Sequence, residues 1–124
     1  MNKILIVEDN EKNLKLFSVI IKSLGYEILT AMNGEEGVSM AKENIPDLIL
    51  MDIQMPVMDG ITALNSLKSD DKTKTIPVIA LTSYAMAGDK EKFFGLGFSD
   101  YISKPIDVNK FSDVIKSILG DRTY

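Results

Sequence analysis

The sequence predicts an α/β domain: a doubly wound, five-stranded parallel sheet in the order 2-1-3-4-5, with five helices distributed over its two faces. Three observations lead there. Short apolar runs recur without period-two alternation, "ILIV" at 4–7, "LILM" at 48–51 and "VIAL" at 78–81, joined by the weaker "EILTA" at 27–31 and "DYIS" at 100–103. Runs of this length suit strands covered on both faces. Segments of helical spacing separate them, giving five repeats of strand then helix. Finally, 124 residues suffice for one core and not for two ordinary domains, so residues 1–120 are read as one domain and 121–124 as a frayed tail.

The elements follow in order. After the first strand, residues 11–24 place Leu14, Phe17, Ile20, Ile21 and Leu24 on one stripe, with Glu11, Lys12, Lys15 and Lys22 opposite and Gly25 as a C-terminal cap. After the second strand, "NGEEGVSMAKEN" opens with a turn at Asn33 and Gly34, carries Val38 and Ala41 on a short helix, and stops before Pro46. The third strand leads to a helix over 60–68, with Ile61, Leu64 and Leu67 behind Asp59 as N-cap. The fourth leads to a helix over 85–96, where Phe93 and Leu96 are expected inward and Phe94 or Met86 partly outward. The last helix, 108–119, buries Phe111, Ile115, Ile118 and Leu119. Right-handed crossovers give such a chain the flavodoxin-like strand order, whose ligand crevice lies at the carboxyl ends of strands 1 and 3.

Composition narrows the function classes. Hydrophobic residues make up 45% and charged residues 26%, and no apolar run approaches the twenty residues of a membrane span. No signal peptide is legible at "MNKILIVEDN", and a cytoplasmic location is expected. A net charge of −4 argues against nucleic-acid binding, which needs clustered Lys and Arg. The longest basic grouping, "KSDDKTK", is interrupted by aspartates and reads as a solvated helix end and loop. Histidine and cysteine are both absent, which removes disulfides, the usual zinc sites, thiol nucleophiles and Ser-His-Asp hydrolysis. Any chemistry falls to carboxylates, hydroxyls and lysines.

Those groups converge. Strand 1 ends in Glu8 and Asp9 and its neighbour, strand 3, ends in Asp52, so three carboxylates meet at the expected crevice. Like charges so crowded call for a hard divalent cation, and Mg²⁺ is the natural one. Asp9 and Asp52 are expected as direct ligands, with the Gln54 backbone carbonyl as a third and Glu8 acting through water. The plainer alternative is that Asp9 and Asn10 cap the first helix and Asp52 ends a solvated strand. It weakens for the set, because Thr82 and Ser83 after strand 4 and Lys104 and Pro105 after strand 5 emerge at the same edge. Together they describe a phosphoryl-transfer site: Asp52 as nucleophile, Lys104 paired with the phosphoryl group, Thr82 donating to it. Pro105 permits a cis peptide at Lys104.

With these residues in place, the chain resembles the receiver domains of two-component response regulators. "ILIVEDNEKN", "PDLILMDIQMPVMDG", "PVIALTS" and "DYISKPI" match in order, and the resemblance covers nearly the whole chain. Within the family the runs "ILIVEDNEKNLKLF" and "DYISKPI" look most like single-domain cell-division regulators and the receiver modules of hybrid histidine kinases. The resemblance implies that a phosphohistidine partner, a sensor histidine kinase or histidine phosphotransfer protein, phosphorylates Asp52. It further implies that Thr82 and Tyr101 then switch the face formed by helix 4, strand 5 and helix 5. Gln54 and Tyr84 occupy the positions that tune phosphate lifetime, where Tyr84 would shield the phosphoryl group, and Ser83 is small enough to leave it accessible.

The expected role is therefore a phosphorelay switch that signals to a downstream target protein by contact, since no output domain is expected after residue 120. It is not expected to be an enzyme beyond its own phosphorylation and dephosphorylation. A monomer is expected, with dimerisation on phosphorylation the alternative. Helix 1, with Asn13, Leu14 and Phe17 beside the acidic pocket, is the expected docking element for the phosphodonor, although most of its apolar stripe must be core. Two other functions compete: a Mg²⁺-dependent phosphohydrolase with an aspartyl-phosphate intermediate, which generally has a second aspartate where this chain has Gln54, and a receiver-like module that binds without phosphorylation.

Overall fold

Alternation along each apolar run decides which helix every strand residue meets. The structure is a computed structural model that describes residues 2–53, 59–82, 89–103 and 107–120. In chain order the elements are β1 (Lys3–Val7), α1 (Glu11–Ser23), β2 (Glu27–Ala31), α2 (Gly34–Asn44), β3 (Leu48–Asp52), α3 (Gly60–Lys68), β4 (Val78–Thr82), α4 (Asp89–Leu96), β5 (Asp100–Ser103) and α5 (Val108–Leu119). The strands form one parallel sheet in the order β2-β1-β3-β4-β5. This is the predicted architecture, with β1, β3 and β4 inside and β2 and β5 at the edges.

Leu5, Val7, Ile49, Met51, Val78 and Ala80 point to one side, where α2, α3 and α4 cover them with Val38, Ala41, Leu64, Leu67 and Phe93. Ile4, Ile6, Leu48, Leu50, Ile79 and Leu81 point to the other, against Phe17, Ile20 and Ile21 of α1 and Phe111 and Ile115 of α5. Both sides being buried, the strands read as continuous apolar runs while keeping a strict two-residue period. Each fully buried side chain of this size contributes about 1.5–3 kcal/mol of transfer free energy.

Side-chain caps fix where the helices start. Asn10 accepts from the Asn13 N–H at 3.0 Å, Asn33 from Glu36 at 2.8 Å and Asp59 from Thr62 at 2.8 Å, while Asp107 accepts from Asn109 and Lys110. Such caps typically stabilise by about 1 kcal/mol each. Helix α1 ends where Gly25, at φ +91°, takes the left-handed conformation expected after a C-cap. The basic grouping behaves as a helix end and loop: Lys68 Nζ donates to the Lys74 carbonyl at 3.1 Å, and Thr73, buried, donates to the Leu67 carbonyl at 2.7 Å.

One expectation is corrected here. Phe17 cannot dock a partner, because only 1% of it is exposed and its ring stacks on Phe111 at a centroid distance of 5.5 Å. Phe17 belongs to the apolar stripe that faces the sheet. The apolar side chains that α1 does present to solvent are Leu16 and Val19, at 46% and 60% exposure. For α4 the expectation was right: Phe93 is buried, Leu96 packs beside it and Phe94 is exposed, whereas Met86 lies outside the described residues.

These placements separate two neighbouring α1 residues by stability. Phe17→Ala is expected to cost about 3–5 kcal/mol in urea unfolding, and Leu16→Ala to stay within about 0.5 kcal/mol of native. Similar losses at both positions would contradict the assignment of the core face.

Candidate functional site

All strands of a parallel sheet deliver their carboxyl ends to one edge. Val7 lies beside Met51 in the register of β1 and β3, so the next residues along, Glu8 and Asp52, follow side by side. Continuing the alternation turns both toward the α1 and α5 side. Glu8 is fully buried and Asp52 is 5% exposed, while Asp9, one residue further out, is exposed. One carboxylate oxygen from each of the three lies within 4.8 Å of the other two. Three hard oxygen donors in one small volume fit a magnesium ion, which takes one or two carboxylates and completes its shell with water and other oxygens.

The capping alternative for Asp9 fails on geometry. The first helix is capped by Asn10, whose side chain accepts from the Asn13 N–H, and Asp9 is left to the acidic cluster. Asn13 itself turns inward and donates from its side-chain amide to Glu8 Oε1 at 2.8 Å. The Glu8 N–H donates to the Ala31 carbonyl at 3.0 Å, which ties the end of β1 to the end of β2.

Asp52 is held from below by its own chain. The Ile53 N–H donates to the Leu81 carbonyl at 3.1 Å, and the Gly60 N–H donates back to the Ile53 carbonyl at 2.9 Å. Helix α3 thus begins directly against the end of β3. A Cβ on Gly60 would strike the Asp52 carbonyl oxygen and reach 2.8 Å from the Ile53 Cα, so only glycine fits. The bare carboxylate at the end of the apolar run and the "DG" at residues 59 and 60 are parts of one closure: Asp59 caps α3 and Gly60 lets it touch the strand.

Thr82 ends β4 and is 4% exposed; Asp52 aligns with Leu81, one residue earlier on that strand. Thr82 in turn aligns with Ser103 of β5. Tyr101 is partly buried on the α2, α3 and α4 side, its ring 5.7 Å from that of Phe93, which meets Phe98 edge-on at 5.9 Å. Between β5 and α5 lies a cavity of about 390 Å³ whose walls include Asp100, Tyr101, Ser103, Lys110 and Asp113. The structure therefore brings Glu8, Asp9 and Asp52 together, with Thr82 on the adjacent strand end. Gln54, Ser83, Tyr84, Lys104 and Pro105 lie outside the described residues.

Comparison with known proteins decides the family. The response regulator receiver domain profile matches residues 4–116. The chain belongs to the response regulator receiver domain family. It is DivK-like: the polar-differentiation response regulator DivK of Brucella anthropi is 51% identical over 118 residues, 95% of this chain and 96% of that one. DivK of Brucella ovis is 49% identical over the same shares. Among solved structures, the receiver domain of a sensor histidine kinase from Pseudomonas aeruginosa superposes with a TM-score of 0.88 at 33% identity, covering 96% of this chain and 98% of that one; it is described with a magnesium ion coordinated in its active-site cleft. The chemotaxis protein CheY4 of Vibrio cholerae gives a TM-score of 0.88 at 25% identity, covering 95% and 98%. Among the described residues of this receiver, no helix is long and apolar enough to cross a membrane.

The close approach at Gly60 is testable against a second glycine. Gly60→Ala is expected to destabilise by about 1–3 kcal/mol, since backbone must shift to admit the methyl group. Gly95→Ala, whose added Cβ meets nothing within 4 Å, is expected to gain about 0.5–1 kcal/mol from helix propensity. Equal effects in chemical unfolding would contradict the packing of α3 on the end of β3.

Proposed function

We propose that this receiver is a phosphoryl-accepting switch: Asp52 takes a phosphoryl group from the phosphohistidine of a sensor histidine kinase or histidine phosphotransfer protein, in a Mg²⁺-dependent reaction. The observation that carries the reading is the meeting of Glu8, Asp9 and Asp52 within 4.8 Å at one end of the sheet. Thr82 on the next strand end supports it. So does the similar receiver of a Pseudomonas aeruginosa histidine kinase described with magnesium in its cleft.

The transfer balances simply. An Asp52 oxygen attacks phosphorus in line with the donor's P–N bond; the O–P bond forms as the P–N bond breaks, and the imidazole nitrogen leaves with that electron pair and takes up a proton. Asp9, Asp52 and the Gln54 carbonyl would hold Mg²⁺, with Glu8 acting through water, and the ion supplies neutralisation of the charge that gathers on the phosphoryl oxygens. Lys104 pairs with the phosphoryl group and the Thr82 hydroxyl donates to it. Attack of water on phosphorus reverses the modification, with Gln54, Ser83 and Tyr84 setting access. The chain's own turnover is confined to these two steps.

Phosphorylation adds charge and acceptor oxygens at the sheet edge, which biases one of two conformers of the Thr82 strand end. Tyr101 reports that bias because it sits on the same side of the sheet as Thr82, its ring packed at a tilt against Phe93 of α4. The output is the face of α4, β5 and α5, where Phe94 is exposed and the β5–α5 cavity opens. A cytoplasmic location and a downstream target protein follow from this reading. The relatives named for polar differentiation support a place in cell-cycle signalling.

The test is the intact mass after incubation with Mg²⁺ and a small phosphoryl donor. The native protein is expected to gain one phosphoryl group and Asp52→Asn none. Equal gain by both, or no gain by a native protein shown to bind Mg²⁺ when a phosphohistidine protein is also supplied, would contradict Asp52 as acceptor.

A further inference from the structure

Burying a carboxylate is costly unless hydrogen bonds hold its charged form. Glu8 is the most deeply buried member of the acidic cluster, at 0% exposure, and the side-chain amide of Asn13 donates to it at 2.8 Å. Asn13 occupies the third position of α1. There its backbone N–H is engaged by the Asn10 cap at 3.0 Å, while its side chain reaches past the cap to Glu8 Oε1. In the usual capping box the side chain at this position turns back to the cap's own backbone. Here the reciprocal half has been redirected to the acidic cluster, so one residue joins the first turn of α1 to the buried carboxylate.

We infer that Asn13 is a positioning residue for the divalent-cation site: it fixes the Glu8 carboxylate so that Glu8 can order a water on Mg²⁺. The inference rests on the proposed Mg²⁺ site and goes beyond it, since Asn13 neither ligates the ion nor touches the phosphoryl group. Groups that orient ligands from outside the coordination shell typically govern affinity by 10–100-fold. The effect is selective. Mg²⁺ requires near-ideal octahedral geometry and keeps its waters, whereas Ca²⁺ accepts irregular shells, so loosening Glu8 weakens Mg²⁺ more than Ca²⁺. An asparagine that served only helix stability would leave the ratio of the two affinities unchanged.

The experiment measures Mg²⁺ and Ca²⁺ dissociation constants by calorimetry for the native chain, Asn13→Leu, which keeps similar bulk without a donor, and Asn13→Gln, which keeps the amide. Metal-free thermal unfolding of each shows that it is folded. The expected result is about a 10-fold loss of Mg²⁺ affinity in Asn13→Leu, a smaller loss for Ca²⁺, and partial recovery of Mg²⁺ affinity in Asn13→Gln. Native Mg²⁺ affinity in Asn13→Leu would overturn the inference, and so would equal losses for both ions. A native chain that binds no Mg²⁺ would overturn the cation site itself, and the inference with it.

Discussion

Three carboxylates sharing one small volume set the terms for the rest of this molecule. At the 4.8 Å limit that encloses them, two unit charges repel by roughly 3–4 kcal/mol at an effective dielectric constant of about 20. That is a sizeable fraction of the 5–15 kcal/mol by which a domain is typically stable. The fold must hold the strand ends together against this repulsion, and the means is the central position of β1 and β3. Each is hydrogen-bonded on both sides within the sheet and covered by helices on both faces. The repulsion stored there is what a divalent cation could release by neutralising the carboxylates.

The elements around the cluster are each tied to a strand end. Helix α1 is joined through Asn13 to Glu8, α3 through Gly60 to the backbone of Asp52 and Ile53, and β4 through Leu81 to Ile53. On the opposite side of the sheet, Tyr101, Phe93 and Phe98 make an aromatic group that links β5 with α4. In the proposed switch a change at the carboxylates moves the end of β4 and is felt one strand further along, by a half-buried ring that packs on a helix rather than deep in the core. The proposed switch thereby separates the acidic site, built on the inner strands, from an output face built on the edge.

Much of this was legible in the residues. Continuous apolar runs marked the strands, and the two-layer burial that produces them marked the parallel sheet. Because topology sends the ends of β1 and β3 to one crevice, Glu8, Asp9 and Asp52 were legible as a group before any distance was known. Less was legible wherever two uses of a residue share one pattern. An amphipathic stripe looks the same whether it faces a sheet or a partner, so Phe17 fitted both the apolar stripe and the docking element, and it sits in the core. Asp9 and Asn10 are equally good caps by residue type, and only the bond to the Asn13 N–H shows which one serves. The redirected side chain of Asn13 has no local signature, since its partner precedes the helix by a turn of non-helical chain. The closeness of Gly60 to Asp52 is likewise a three-dimensional fact: "DG" announces a turn or a cap, not that α3 will rest on the preceding strand.

Stored repulsion among Glu8, Asp9 and Asp52 is tested most directly by thermal unfolding of the native chain and Asp52→Asn across a Mg²⁺ titration. Without Mg²⁺, removing one charge relieves the crowding, so Asp52→Asn is predicted to unfold several degrees above the native chain. With increasing Mg²⁺ the native chain is predicted to gain stability and close that gap, while Asp52→Asn gains little. A native chain at least as stable as Asp52→Asn without the ion, and indifferent to its addition, would contradict the central claim.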